Sequence, residues 1–202
     1  MLRQASVSDL IMDRVSRGKK SHVVIAMRRY PRFINRELRD EYLPSLASDH
    51  ELFEDWLATK RRTGDHDGAF AKVKFEDRFE LGEEGLENLE RLSRLSRGKD
   101  VYVVCQCARG QRCHREMVLL LAHERFGAPI EPVANAYPRF VRKLARAGAR
   151  PARAATARRA RRAGAYRRHD GSARPSEASK VAPRARSRAP RPRPRSRRGS
   201  AA

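Results

Sequence analysis

The chain has 202 residues, enough for one domain of ordinary size and a tail, and a net charge of +22. From Val141 onward 21 Lys and Arg face only Asp170 and Glu177, whereas the first 140 residues hold 25 basic and 22 acidic groups, so the extreme charge belongs to the tail. No apolar run approaches the roughly 18 residues a membrane span needs, and the opening MLRQASVSDL lacks the basic and apolar regions of a signal peptide. These absences point to a cytoplasmic protein without membrane contact.

Taken in order, Ser21 to Met27 (SHVVIAM) is a short β-branched run that reads as a buried strand ended by arginines and Pro31. Ser48-Asp49-His50-Glu51 has the spacing of a capping box, and Leu52, Phe53, Trp56 and Leu57 put an apolar stripe on the helix predicted from about Asp49 to Thr59. Arg61 to Gly68 (RRTGDHDG) reads as a polar loop, followed by a shorter helix carrying Phe70, Val73, Phe75 and Phe79. Leu86, Leu89, Leu92 and Leu95, with Glu87/Arg91 and Glu90/Arg94 four apart, predict a helix that stops at Gly98.

Asp100 to Cys107 (DVYVVCQC) is apolar on both faces, as the central strand of a covered parallel sheet should be. A five-residue turn, Ala108 to Arg112, leads into a helix from Cys113 to Phe126 that Gly127 stops, and Ile130 and Val133 suggest one more strand. This alternation predicts an α/β fold: a single three-layer sandwich with a mainly parallel sheet over residues 1–140, followed by a tail over 141–202. The tetrapeptide Tyr-Pro-Arg-Phe occurs at Tyr30–Phe33 and again at Tyr137–Phe140, which we read as coincidence because the flanks do not repeat.

Chemistry concentrates in Cys105 to Arg115. All three cysteines, Cys105, Cys107 and Cys113, lie within nine residues, and an odd number in a reducing compartment argues against a disulfide framework. In open α/β sheets, ligands bind beyond the carboxyl ends of strands, where loops meet helix N-termini. Cys105 and Cys107 end the strand while Cys113, His114 and Arg115 open the helix, and Arg109, Arg112 and Arg115 add positive charge. The expectation is a pocket for a small anion with an activated thiolate, Cys107, Cys113 and His114 being the candidate catalytic groups. Cys105 follows the inward alternation of the strand and reads as a core residue. Zinc is an alternative, since Cys-x-Cys-x5-Cys-His offers four soft ligands, although Cys-x-Cys on a strand is unlike the usual Cys-x2-Cys knuckle. Metal and cofactor are not fixed by the sequence.

Two resemblances bear on this segment. Cys107-Ala-Arg-Gly-Gln-Arg112 resembles the active loop of rhodanese-like sulfurtransferases, which implies Cys107 as sulfur carrier with loop amides and Arg112 holding the anion. More broadly, Arg28–Phe33 (RRYPRF), Tyr42–Leu52 (YLPSLASDHEL), Trp56, Phe75–Leu81, the apolar strand and Cys113-His114-Arg115 resemble the family called domain of unknown function 488. That resemblance spans roughly Val23 to Val133 and is most specific at the Cys-His-Arg helix start. It implies an α/β fold and a site around Cys113, His114 and Arg115, with anion-binding arginines such as Arg29 and Arg32 from the Arg28–Arg32 loop. It also implies an acidic residue at the end of the first strand, where this chain has Ala26-Met27.

From about Gly148 the chain is Ala, Arg, Pro, Ser and Gly with a single aromatic residue, Tyr166. Such a segment cannot offset its ordering entropy by burial and is expected to be disordered. Residues 148–202 are expected to contact nucleic acid non-specifically, with steep salt dependence. The leading reading is a Cys/His/Arg anion site with this tail. Thiol-dependent sulfur or phosphoryl transfer is one alternative, and a structural zinc module associated with nucleic acid is the other.

Overall fold

A computed structural model describes residues 1–148. Residues 149–202, and with them almost all of the expected disordered tail, lie outside the described residues.

The framework is a sheet of four parallel strands: β1 (Leu2–Ser6), β2 (Ser21–Ile25), β3 (Glu41–Tyr42) and β4 (Asp100–Cys105). The spatial order is β1-β4-β2-β3, so the apolar β4 is interior, with Leu2 paired to Val101 on one side and His22 to the same residue on the other. Two cores form on its two faces. On one side Leu2, Val24, Val101 and Val103 meet Leu52, Phe70, Phe79, Leu89 and Met117. On the other Ala5, Val23, Ile25 and Val104 meet Val7, Leu10, Val15 and Ile34. This is the α/β sandwich that the alternating apolar runs imply.

Helices α1 (Val7–Ile11), α2 (His50–Thr63), α3 (His66–Lys72), α4 (Phe75–Arg78), α5 (Glu83–Leu95), α6 (His114–Phe126) and α7 (Pro138–Gly148), with short 3-10 turns at Arg36–Leu38 and Pro44–Leu46, complete the described chain. No helix among the described residues is long and apolar enough to cross a membrane. Helix α6 begins at Cys113 as its N-cap residue and ends at Gly127, whose φ of 62° few side chains accept.

Several local expectations are corrected. The N-cap of α2 is Asp49, whose carboxylate accepts from Leu52 N, and not Ser48. The expected polar loop at 61–68 shrinks to Gly64 and Asp65, because Gly64 (φ 70°) ends α2 and Asp65 caps α3 by accepting from Gly68 N. The single helix expected around Phe70–Phe79 is two short ones, broken at Lys74 with φ 54°. Ile130 and Val133 form no strand: Leu2 makes one isolated bridge with Ile130, and Pro129 and Pro132 beside it offer no N–H for a ladder. Strand β1 and helix α1 were not anticipated. The second Tyr-Pro-Arg-Phe starts α7 and buries Tyr137 and Phe140, whereas the first lies in a loop with Phe33 exposed.

The short edge strand β3 is tied down electrostatically. Glu41 accepts from Arg91 of α5 at 2.9 Å and lies 2.6 Å from His22 Nε2 on β2. The Arg91 hydrogen bond, against the opposing effect of burial and with help from His22, holds the Glu41 carboxyl below its ordinary 4.5. A depressed carboxyl contributes stability that is present above its unfolded value and lost as pH falls through the folded one. Urea midpoints measured from pH 6 down to about pH 3 should therefore fall below pH 4.5 in the wild type, and fall less in Glu41→Gln. Parallel curves for the two proteins would contradict this assignment.

Candidate functional site

Beyond the carboxyl ends of β2 and β4 lies a cavity of about 480 Å³. Met27 and Arg28 follow β2, Cys105 to Cys107 follow β4, Cys113 and His114 open α6, and α2 and α3 close the other wall with Phe53, Trp56, Lys60, His66 and Phe70. Four basic side chains, Arg28, Arg29, Lys60 and Arg112, line the cavity, and no carboxylate does. Arg29 lies over Phe53 at 5.6 Å and Lys60 over Trp56 at 5.1 Å, so cations and aromatic faces share one wall.

The three cysteines are free and close together. Cys105 Sγ lies 3.8 Å from Cys107 Sγ and 3.9 Å from His114 Nδ1, and Cys113 Sγ lies 3.7 Å from the same nitrogen. His114 Nε2 is 2.7 Å from the Ala26 carbonyl, which can only accept. Nε2 therefore carries the proton of the neutral ring, and the Nδ1 lone pair faces the sulfurs. Where the family resemblance implied an acid, a backbone oxygen orients the imidazole.

Of the three thiols, Cys105 is the one shifted toward its charged form. Hydrogen-bond contacts with Cys107 and Cys113 hold the Cys105 thiol well below its ordinary value of 9.0 against the cost of burial. The two neighbouring thiols shift the other way. The hydrogen bond to Cys105 pushes Cys107 well above the usual thiol range, and burial does the same for Cys113. Burial opposes charging of His114, but the Cys105 thiolate outweighs it and raises the imidazole above 6.5.

Cys107 has a second partner that sequence reasoning missed. His66 Nε2 stands 3.4 Å from its Sγ, and His66 Nδ1 lies 2.7 Å from Asp67 Oδ1. A carboxylate accepts only, so Nδ1 bears the proton and Nε2 presents its lone pair to the thiol. Asp67 also accepts from Arg112 N at 3.1 Å, and Trp56 Nε1 donates to the His66 carbonyl. The signal lay in Asp65-His66-Asp67, which reads as a solvated loop until α3 is seen to start there.

The expected anion-binding arginines separate. Arg29 and Arg112 line the cavity. Arg109 does not; it is largely exposed and pairs with Asp9 at 3.3 Å. Arg32 is exposed outside the cavity lining. Arg115 is corrected most clearly. Its side chain is buried beneath the loop, where it donates to the carbonyls of Cys107 (2.6 Å) and Ala108 (3.0 Å) and to Gln4 Oε1 (3.0 Å). One residue on from His114, a helix turns the side chain by about 100°, which takes it under the site and not into it.

Below Arg115, the buried Glu116 accepts from Gln4 Nε2, Ala134 N, Asn135 Nδ2 and Tyr137 Oη. Tyr137 Oη in turn accepts from Cys113 N at 2.9 Å. Burial and the Glu116 carboxylate hold the Tyr137 phenol far above its ordinary range, so it stays a neutral strut. The rhodanese-like loop is not confirmed. The amides of Ala108, Arg112 and Cys113 are engaged by Gln111 Oε1, Asp67 and Tyr137, which leaves that stretch without the open amide cradle such a loop requires.

Searches of curated proteins and of solved structures found no match. A family model described as the active DUF488-N3 subclade, DUF488-N3a, matches residues 11–125, a span that includes the cysteines, His114, His66 and Asp67. With more than half of its length matched, the chain belongs to the DUF488 family.

Proposed function

We propose that the cavity is the active site of a thiol-dependent transferase or hydrolase for a small anionic substrate, with Cys107 as nucleophile. The observation that carries this reading is the Cys107–His66–Asp67 arrangement opening onto a cavity whose only charged lining groups, apart from histidines and thiols, are cations. Contact with Cys105 pushes the Cys107 thiol up, so its activation falls to a general base during attack.

In that step the sulfur bonds to the electrophilic atom of the substrate and its proton passes to His66 Nε2. The leaving group departs with the bonding electron pair and takes up that proton. Asp67 holds the imidazole in the required tautomer and supports its positive charge. Lys60 attracts the anionic part of the substrate, joined by Arg29 and Arg112, which also pair with Glu54 and Glu76, and Trp56, Phe53 and Phe70 receive an apolar body.

Alkylation of Cys107, followed by mass spectrometry of its peptide, tests the assignment. His66→Ala should slow iodoacetamide labelling at Cys107 on the order of 10²-fold. The wild type should prefer anionic iodoacetate over neutral iodoacetamide relative to a free thiol, and Lys60→Glu should reverse that preference. Equal rates in wild type and His66→Ala, without an iodoacetate preference, would sink the reading.

A further inference from the structure

We infer that Cys105 Sγ, Cys113 Sγ and His114 Nδ1 form a three-ligand site for a thiophilic divalent cation, zinc in the first place, with its remaining coordination position open to the cavity. The three atoms lie within 4.8 Å of one another, on two elements that the fold holds rigidly: the end of β4 and the first turn of α6.

The distances also match those between the ligands of a tetrahedral metal centre. Tetrahedral zinc, with bonds of about 2.3 Å to sulfur and 2.0–2.1 Å to nitrogen, sets its ligands about 3.8 Å apart for sulfur pairs and about 3.6 Å apart for sulfur and nitrogen. The separations here are 3.7 and 3.9 Å from sulfur to Nδ1. Both exceed the 3.4 Å of the Cys107–His66 contact, in which a hydrogen bond is the natural bridge. Each sulfur thus stands from Nδ1 at about the distance that separates two ligands of one tetrahedral ion, and all three atoms lie within 4.8 Å of one another.

The surroundings have the character of a metal site too. His114 Nε2 donates to the Ala26 carbonyl, which fixes the ring and turns Nδ1 toward the sulfurs, as an outer partner of a ligating histidine does. Cys113 is fixed from behind by Tyr137 Oη on its amide. Two thiolates and one imidazole select zinc over magnesium or calcium, which prefer oxygen. Cys107 lies near this trio but is engaged by His66, so the fourth position is left to water or to a substrate anion. A cation there would polarise the group that Cys107 attacks. The ion-binding claim stands without that role; only the assisting function rests on the thiol reading above.

The full chain, purified anaerobically and stripped with a chelator, is offered zinc or cobalt chloride, freed of excess metal and analysed by emission spectroscopy. About one equivalent is expected, with the intense visible bands of tetrahedral cobalt and thiolate-to-metal charge transfer. Cys105→Ser, Cys113→Ser and His114→Ala should each weaken binding at least about 100-fold, while Cys107→Ser retains one equivalent. Circular dichroism separates misfolded variants from folded ones, and the cobalt spectrum of the unmutated chain needs no variant at all. Uptake below about a tenth of an equivalent, an octahedral cobalt spectrum, or undiminished binding in folded Cys105→Ser would overturn the site. Loss of binding in folded Cys107→Ser would overturn the open position. Metal uptake without His66-dependent alkylation defeats the thiol reading alone, and alkylation without uptake defeats this one alone.

Discussion

Arg115→Leu is expected to lower stability by about 3–5 kcal/mol in guanidinium unfolding, a large share of the total for a domain of this size. The guanidinium is buried, and each of its nitrogens has an acceptor: Gln4 Oε1 and the carbonyls of Cys107 and Ala108. Leucine fills part of the volume but leaves three acceptors without a donor, and each orphaned buried group costs about 1–3 kcal/mol. Arg115→Lys should recover only part of the loss, because a single ammonium cannot span donors that a planar fork reaches at once. A loss below about 1 kcal/mol in Arg115→Leu would show that the loop carbonyls find other donors. The same substitution should free the Cys107–Ala108 segment and blunt the effect of His66 on Cys107 alkylation, which identifies Arg115 as a positioning residue.

The second large effect is expected at Glu116, where the substitution barely changes shape. Four donors converge on its carboxylate, two on each oxygen: Gln4 Nε2 and Ala134 N on one, Asn135 Nδ2 and Tyr137 Oη on the other. In Glu116→Gln one oxygen becomes an NH2 group facing two donors, a conflict that no flip of the amide removes. The cost should be about 2–4 kcal/mol despite near-identical volume. Glu116→Gln and Arg115→Leu both act through Gln4, so the double variant should lose less than the sum of the singles. Strict additivity would mean that the two halves of the network are independent.

How far the sequence reveals this protein depends on where each element finds its partners. Strand β4 and helix α6 were legible because their burial is written in their own residues, an apolar run and a helix closed by Gly127. Strand β1 was not. Its residues LRQAS carry little β-branched character, and its polar members are satisfied from far along the chain, Gln4 by Glu131 and Glu116. The local sign was Ser6-Val7-Ser8-Asp9, a capping box that α1 uses through Ser6 Oγ and the Asp9 carboxylate.

The site was legible in the same uneven way. The cysteine cluster and His114 could be placed at a strand end and a helix start from spacing alone. Cys105 reads as core from its alternation, and it is buried; the sequence does not reveal that its sulfur faces His114 and Cys113 from that position. His66 reaches Cys107 from forty-one residues away, a proximity that depends on how α3 packs against the sheet end. Arg115 misleads because adjacency in a motif is not adjacency on a helix.

The strand order also governs how the protein acquires its shape. Interior β4 pairs with β1 through Leu2 and Val101 and with β2 through Ser21 and Asp100, so both neighbours join it across very long loops. Loop-closure entropy must be met before either pairing repays it, and parallel pairings of this kind are slow to nucleate. During synthesis the helices α2 to α5 emerge before the strand that will unite the sheet. The segment that completes the sheet is thus the one that carries Cys105 and leads into Cys113 and His114, so the chemical centre arises only in chains whose sheet has closed.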